Sequence, residues 1–305
     1  MKIKSTSFFR DPGKAIRFFG TWVHEVSEHS GTAYKRIDIN TSLGKTVVWG
    51  IHTDKQERKP VVIFPGFRTS GLFWDMDNAL SSLKKDYRVY LVETNGQPNL
   101  SDGNTPDIKG HGYGTWANEV LAQLGLEKAT IAGASFGGLV CLKLCMVNPA
   151  RVEKTFLLNP GCLQPFSLSV KNLYYNLLPL IAPGERNVER FLDKAVFCKD
   201  RHIVSPVAKK LIMAYEVFAI KEYKDRTQKP YAMKDTELRQ VVSDIYLLLG
   251  EKDLLFPCKR SAAAARKHLK HLRDIIILPG TGHGIETSVK ALTLMTAILN
   301  NKGDL

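Results

Sequence analysis

Short apolar runs that alternate with helical patterns constrain this chain more than any other feature. Residues 60–64 read Pro-Val-Val-Ile-Phe, a run with no polar face and too short for a helix. Such a run is expected of a strand covered on both faces in a parallel sheet. Helical spacing follows over about 74–84, then a strand at 88–92, a helix at about 115–124 and a strand at 129–132. A helix over 136–147 and a strand over 154–158 continue the series. After a break the pattern resumes with strand 245–249, helix 259–269, strand 275–278 and a last helix to about 299. Before it, Asp11-Pro12 reads as a capped helix start, and strand patterns at 34–39 and 45–52 flank a turn at Leu43-Gly44.

In the break, about 161–238, only helical patterns occur. Val188, Phe191, Leu192, Ala195 and Val196 recur at helical spacing, as do Val207, Leu211, Ile212, Tyr215, Phe218 and Ala219. The expected architecture is α/β: a mostly parallel central sheet flanked by helices, formed by residues 1–160 and 239–305, with a helical cap or lid inserted at 161–238.

With 305 residues, 44% apolar and 24% charged, the chain has the composition of an ordinary globular protein with ample core material. The net charge of +13 raises the question of nucleic acid. The basic residues are scattered in short groups such as Lys84-Lys85 and Lys209-Lys210 on amphipathic helices, with no recognition motif beside them, so no nucleic-acid role is expected. Five cysteines without C-x-x-C spacing speak against a disulfide framework or a zinc site. No signal-peptide pattern follows Met1, and no stretch approaches a membrane span, so a cytoplasmic protein is the default expectation.

The chemistry concentrates at Gly133-Ala134-Ser135-Phe136-Gly137-Gly138. This G-x-S-x-G sits between an expected strand and an expected helix, the context in which a serine is presented on a sharp turn above a sheet. The flanking glycines remove side chains that would crowd the turn. The Phe136 N–H then lies at a helix start, where it can face an oxyanion.

A serine hydroxyl needs a base. Among the eight histidines, only His202, His268, His271 and His283 follow Ser135. His202 falls in the insertion, and His268 and His271 belong to a lysine- and arginine-rich helix end, where solvent exposure accounts for them. His283 stands in Pro279-Gly280-Thr281-Gly282-His283-Gly284, a loop just after the last strand, where open α/β sheets meet ligands. The acid belongs on the turn after strand 245–249. Asp253 is preferred there and Glu251 is its rival; Asp244 lies at the wrong strand end, and Asn159 carries no charge. A second oxyanion donor is expected from Phe64-Pro65-Gly66-Phe67-Arg68, with the Phe67 N–H as the natural choice. Arg68 reads as a surface arginine rather than a ligand for an acidic substrate.

In the order and spacing of these segments the chain resembles the α/β-hydrolase superfamily, in particular its capped, esterase-like bacterial members. The resemblance spans about residues 34–300 and rests on Phe64-Pro65-Gly66-Phe67, the 133–138 segment, Gly250-Glu251-Lys252-Asp253 and Gly282-His283. It implies a serine esterase with a Ser135–Asp253–His283 triad that needs neither cofactor nor metal. Serine at the nucleophile position argues against the haloalkane dehalogenase and epoxide hydrolase branches, which use aspartate. Pro65 replaces a histidine found in many relatives, and 93–98 reads Glu-Thr-Asn-Gly-Gln-Pro in place of their aspartate with following glycines. Both changes alter the loops around the site and leave the triad untouched.

The expected substrate is a small carboxylic ester, thioester or lactone with an apolar acyl or alcohol part. Phe166, Tyr174 and Leu178 of the insertion are the candidates to line its pocket. An acyltransferase, a cofactor-free carbon–carbon bond hydrolase and a ligand-sensing protein of this fold are the competing readings.

Overall fold

The computed structural model describes residues 1–198 and 204–300. Its eight main-sheet strands are β1 (Lys35–Thr41), β2 (Gly44–Ile51), β3 (Lys59–Phe64), β4 (Tyr87–Val92), β5 (Ala129–Ala134), β6 (Val152–Leu158), β7 (Ile245–Gly250) and β8 (Leu272–Leu278). They lie in the order β8-β7-β6-β5-β3-β4-β2-β1. β1 and β2 run antiparallel, as do β2 and β4, and every pairing from β4 to β8 is parallel. Val61 to Phe64 of β3 are wholly buried, as their uninterrupted apolar character requires of a strand covered on two faces.

The α-helices among the described residues are α1 (Pro12–Ser30), α2 (Ser81–Asp86), α3 (Gly112–Gln123), α4 (Phe136–Val147), α5 (Val170–Ile181), α6 (Glu185–Phe191), α7 (Pro206–Glu222), α8 (Asp235–Leu238), α9 (Cys258–His268) and α10 (Val289–Asn300). The expected N-cap of α1 forms: Asp11 accepts from the Lys14 N–H, and Gly31 ends the helix in the left-handed conformation. Residues 161–238 hold α5 to α8 and a π-helical turn, Leu192–Val196, between β6 and β7.

Three features depart from the sequence pattern. The single helix expected over about 74–84 is a 3-10 helix, Gly71–Asn78, followed by α2. Asp77 and Asn78 take left-handed backbone there. The buried Asp75 carboxylate accepts from Leu80 N, Thr32 Oγ1, Tyr34 Oη and Lys84 Nζ, and this knot outweighs continuous helix. Phe8–Phe9 pairs antiparallel with Tyr223–Lys224, so the N-terminal arm is stitched to the segment that follows α7. Helix α7 packs on α1: Trp22 Nε1 donates to Leu211 O at 2.9 Å, and the rings of Phe18 and Phe218 stack 3.9 Å apart. Burying Trp22 in that seam contributes on the order of 2–3 kcal/mol. Finally, His268 is not exposed: it is 6% accessible and lies 3.3 Å from Asp235. Among the described residues no helix is long and apolar enough to cross a membrane.

Candidate active site

Ser135 occupies the β5–α4 junction with φ 49° and ψ −109°, backbone that a non-glycine residue holds only under strain. The glycines around it are needed for close approach. A Cβ on Gly133 would lie 2.3 Å from the Gly137 backbone, and one on Gly137 would lie 1.9 Å from Phe64 O. The turn is pinned by the Ser135 N–H, which donates to Leu158 O at 2.9 Å, and by the Ser135 carbonyl, which accepts from Gly138 and Gly161. Gly66 approaches from β3; its Cβ position is 3.6 Å from Ser135 Cβ.

Two amides near this serine have no acceptor among the described residues. They are Phe136 N–H, first in α4, and Phe67 N–H, in the loop after β3. Their side chains meet edge to face with ring centroids 6.0 Å apart. Beyond this loop the Glu93 carboxyl, at the end of β4, is enclosed by Trp49 and Ser70, and burial pushes its pKa up to about 7.

His283 and Asp253 come together across the ends of β7 and β8. His283 Nδ1 lies 2.8 Å from Asp253 Oδ2. The other oxygen of Asp253 accepts from the Leu255 and Phe256 N–H groups at 2.8 and 3.0 Å, and the residue is 4% exposed. Burial would lower the His283 pKa, but the Asp253 carboxylate beside it, with Glu286 further off, raises it above the usual histidine value. Glu251 turns away: its Oε2 accepts from Gly280 N at 2.8 Å, and Asp244 pairs with Arg273 at the far end of the sheet.

Two residues that sequence reasoning passed over complete the frame. Asn159, buried just after β6, donates to Gly282 O at 2.9 Å and His283 O at 3.0 Å, and accepts from Gly250 N at 2.7 Å. One side chain thus joins the loops after β6, β7 and β8; the position of an asparagine at a strand end was the only available signal. Phe256 lays its ring 5.5 Å from that of His283 and within 3.2 Å of the Cβ position of Gly161, which itself lies 3.6 Å from the Ser135 backbone carbon. No hydrogen bond joins the Ser135 hydroxyl to His283 in this structure.

Of the pocket candidates, Phe166 meets the Phe256 ring edge to face at 5.9 Å and so borders the site. Leu178 is half-buried on α5. Tyr174 is 54% exposed and meets the Tyr175 ring edge to face at 5.2 Å, and it is Tyr175 that packs toward Ala195, Leu255 and Phe256. Arg68 is not a surface residue: its side chain is 20% exposed and pairs with Asp225 at 3.2 Å. His202 lies outside the described residues. The π-helical turn closes over the His283 loop, where Gly284 N donates to Val196 O at 3.0 Å and a Cβ on Gly282 would be 2.2 Å from the same oxygen. Among the described residues no group of three or more histidine, cysteine, aspartate or glutamate side chains could hold a metal.

A family model described as alpha/beta hydrolase fold matches residues 59–180. The chain is 28% identical over 244 residues to a Bacillus subtilis (strain 168) protein named uncharacterized carboxylesterase nap, covering 79% of this chain and 78% of that one. It is 23% identical over 226 residues to carboxylesterase YbfK of the same strain, covering 72% and 71%. The crystal structure of naproxen esterase (carboxylesterase NP) from Bacillus subtilis superposes with a TM-score of 0.79 at 24% identity, over 93% of this chain and 98% of that one.

Proposed function

The chain has the α/β-hydrolase fold, and on that footing we propose that it is a serine hydrolase of carboxylic esters working through an acyl-enzyme. The observation that carries the reading is the contact between His283 Nδ1 and Asp253 Oδ2, 2.8 Å long, on loops that Asn159 ties to the strand end beside Ser135. The names of the relatives point the same way, toward ester substrates rather than acyl transfer, carbon–carbon cleavage or ligand sensing.

In this reading Asp253 fixes the proton on Nδ1, leaving Nε2 free to take the proton of Ser135 as its oxygen attacks the ester carbonyl. The hydroxyl and ring must close to hydrogen-bond distance for that transfer, a tightening that substrate binding brings about. The oxyanion of the tetrahedral intermediate accepts from Phe67 N–H and Phe136 N–H. His283 then protonates the departing alcohol, and water, activated by the same ring, releases the acid. No cofactor takes part in these steps.

The helices of 161–238 form a cap over the core built from 1–160 and 239–305. Phe166 lines the inner mouth of the pocket, with Leu178 and then Tyr174 toward its outer rim, and an apolar acyl or alcohol group suits these walls. All five cysteines are unpaired, which suits a reducing compartment and supports a cytoplasmic setting.

Labelling with a fluorophosphonate, followed by identification of the modified residue, tests the assignment alongside turnover of short-chain esters. Ser135 is the expected site, and Ser135→Ala is expected to abolish both signals. Label or ester turnover persisting in Ser135→Ala overturns the proposal.

A further inference from the structure

The loop carrying the Phe67 N–H is held by residues outside the triad, and their contacts close into a ring. Arg68 sits at φ 61°, left-handed backbone that costs a side-chain-bearing residue energy and needs outside support. Its N–H donates to Gln97 Oε1 at 2.7 Å, and Gln97 is 1% exposed. The Gln97 amide nitrogen faces Thr227 Oγ1 at 3.4 Å, and that hydroxyl donates to Gly96 O at 2.7 Å. Thr227 N donates to Asp225 Oδ1 at 2.8 Å, and the second Asp225 oxygen accepts from Arg68 Nη1 at 3.2 Å. Arg68 is therefore gripped twice, at its backbone by Gln97 and at its guanidinium by Asp225.

The N–H groups of Phe67 and Arg68 belong to successive peptides and have different fates. Arg68 N–H is consumed by Gln97, whereas Phe67 N–H has no acceptor among the described residues. Turning over the peptide between Phe67 and Arg68 would return Arg68 to ordinary backbone and break the Gln97 bond. Without that bond the Phe67 Cα is also free to shift, and the Gly66–Phe67 peptide that carries the Phe67 N–H pivots with it. Because a buried glutamine held from behind by Thr227 opposes that shift, the aim of the Phe67 N–H depends on it.

We propose that Gln97 is a positioning residue for ester hydrolysis, holding the Phe67–Arg68 peptide so that the Phe67 N–H faces the developing oxyanion, and that the 225–227 segment leading out of the insertion holds Gln97 in turn. The proposal rests on the reading of Ser135 as nucleophile and Phe67 as an oxyanion donor. It adds that the geometry of the oxyanion site is set partly by the segment through which the chain returns from the insertion to the core.

The test compares Gln97→Met, which keeps volume and removes the acceptor, with Gln97→Glu, which keeps an acceptor. Steady-state kinetics on a short-chain ester are paired with the affinity for a trifluoromethyl ketone. That ketone adds the Ser135 oxygen to its carbonyl carbon, passes the serine proton to His283, and leaves an oxyanion where the intermediate's would be. Deleting an oxyanion donor outright costs about 10²–10³ in kcat, so a misaimed donor in Gln97→Met is expected to cost roughly 10- to 100-fold. KM is expected to stay within about twofold and ketone affinity to fall in step with kcat, since only transition-state binding is lost. Gln97→Glu is expected to recover most of the loss. Should Gln97→Met fail to fold, Thr227→Val removes only the hydroxyl behind Gln97 and is expected to lower kcat and ketone affinity together by a smaller factor. Unchanged kcat and ketone affinity in the folded variant, or equal losses in Gln97→Met and Gln97→Glu, overturn the proposal. A wild-type protein that fluorophosphonate does not label at Ser135 overturns the underlying reading of the site instead.

Discussion

Replacing Asp253 by asparagine strikes the proposed triad where its hydrogen bonds are most fully determined. One carboxylate oxygen accepts from Leu255 N and Phe256 N, while the other faces His283 Nδ1 at 2.8 Å. An amide in that place offers one acceptor and one donor group. The two backbone N–H groups claim its oxygen, which turns its NH₂ toward Nδ1. That nitrogen must then accept, so the ring's proton moves to Nε2 and the ring can no longer take a proton from serine. Reversing the amide restores the tautomer but leaves two buried backbone donors facing an NH₂. At about 1–3 kcal/mol for each unsatisfied donor, the productive arrangement lies roughly 2–6 kcal/mol higher. With about 1.4 kcal/mol per tenfold, the tautomer effect alone removes roughly 30-fold to 10⁴-fold of the rate. Loss of the negative charge that stabilises the imidazolium adds to this, so the expected total is about 10³-fold or more in kcat. The assay is turnover of a short-chain p-nitrophenyl ester by Asp253→Asn and Glu251→Gln beside wild type. Glu251 is bound to Gly280 N rather than to the ring, so Glu251→Gln is expected to stay within about threefold. Asp253→Asn retaining more than a tenth of wild-type activity, or Glu251→Gln losing more than Asp253→Asn, would refute the reasoning.

The strain at Ser135 predicts how Ser135→Gly and Ser135→Ala, both inactive, rank in stability. Glycine relieves about 1–3 kcal/mol of backbone strain and gives back about 0.5–1 in chain entropy, so its midpoint should equal or exceed that of Ser135→Ala, by up to about 4 °C in calorimetry; a midpoint below that of Ser135→Ala would show that no strain is stored there. Asn159→Leu leaves Gly250 N–H without its acceptor and two carbonyls without their donor, and is expected to cost about 2–4 kcal/mol in denaturant unfolding together with most of the activity. If His283 is the base as proposed, it works in its neutral form, and its raised pKa places the acid limb of kcat/KM above the ordinary histidine value, with activity lost as pH falls through it. Removing the Glu286 charge in Glu286→Gln lowers that pKa, so the acid limb should move to lower pH; a move to higher pH would contradict the assigned electrostatics.

What could be read from the residues alone was local or repeated along the chain. The strand runs and the glycine turn at 133–138 each declare themselves within a few positions, because burial on two sheet faces and a strained turn both demand particular residue types. The proposed order of serine, acid and histidine came from the chain order known for this fold, and the three positions fall on loops after parallel strands. What escaped were choices made by partners remote in sequence. Asn159 looked inert for lack of charge, yet its amide is what a junction of three loops requires. Arg68 looked like a surface residue because nothing near it in the chain announces Gln97 or Asp225. Helical spacing over 74–84 continued past Asp77 and Asn78, where the buried Asp75 carboxylate breaks the helix by recruiting Thr32, Tyr34 and Lys84. His268 belonged to a basic helix end whose charges face water, while the imidazole itself points inward. Propensity and periodicity describe a segment's own preferences; these outcomes were decided by the opposite side of each contact.

The seam between Val196 and the two glycines flanking His283 has a practical corollary. On the proposed reading of 161–238 as a cap, a door hinged as one panel would tear main chain from main chain at that seam, so substrates would enter further out. Helix α5 lies on that side, with Val170 84% and Ile181 78% exposed. Under the proposed ester hydrolysis, retuning toward bulkier or more polar esters calls for randomising that helix and leaving 192–197 as it stands, so that the proposed base is not loosened.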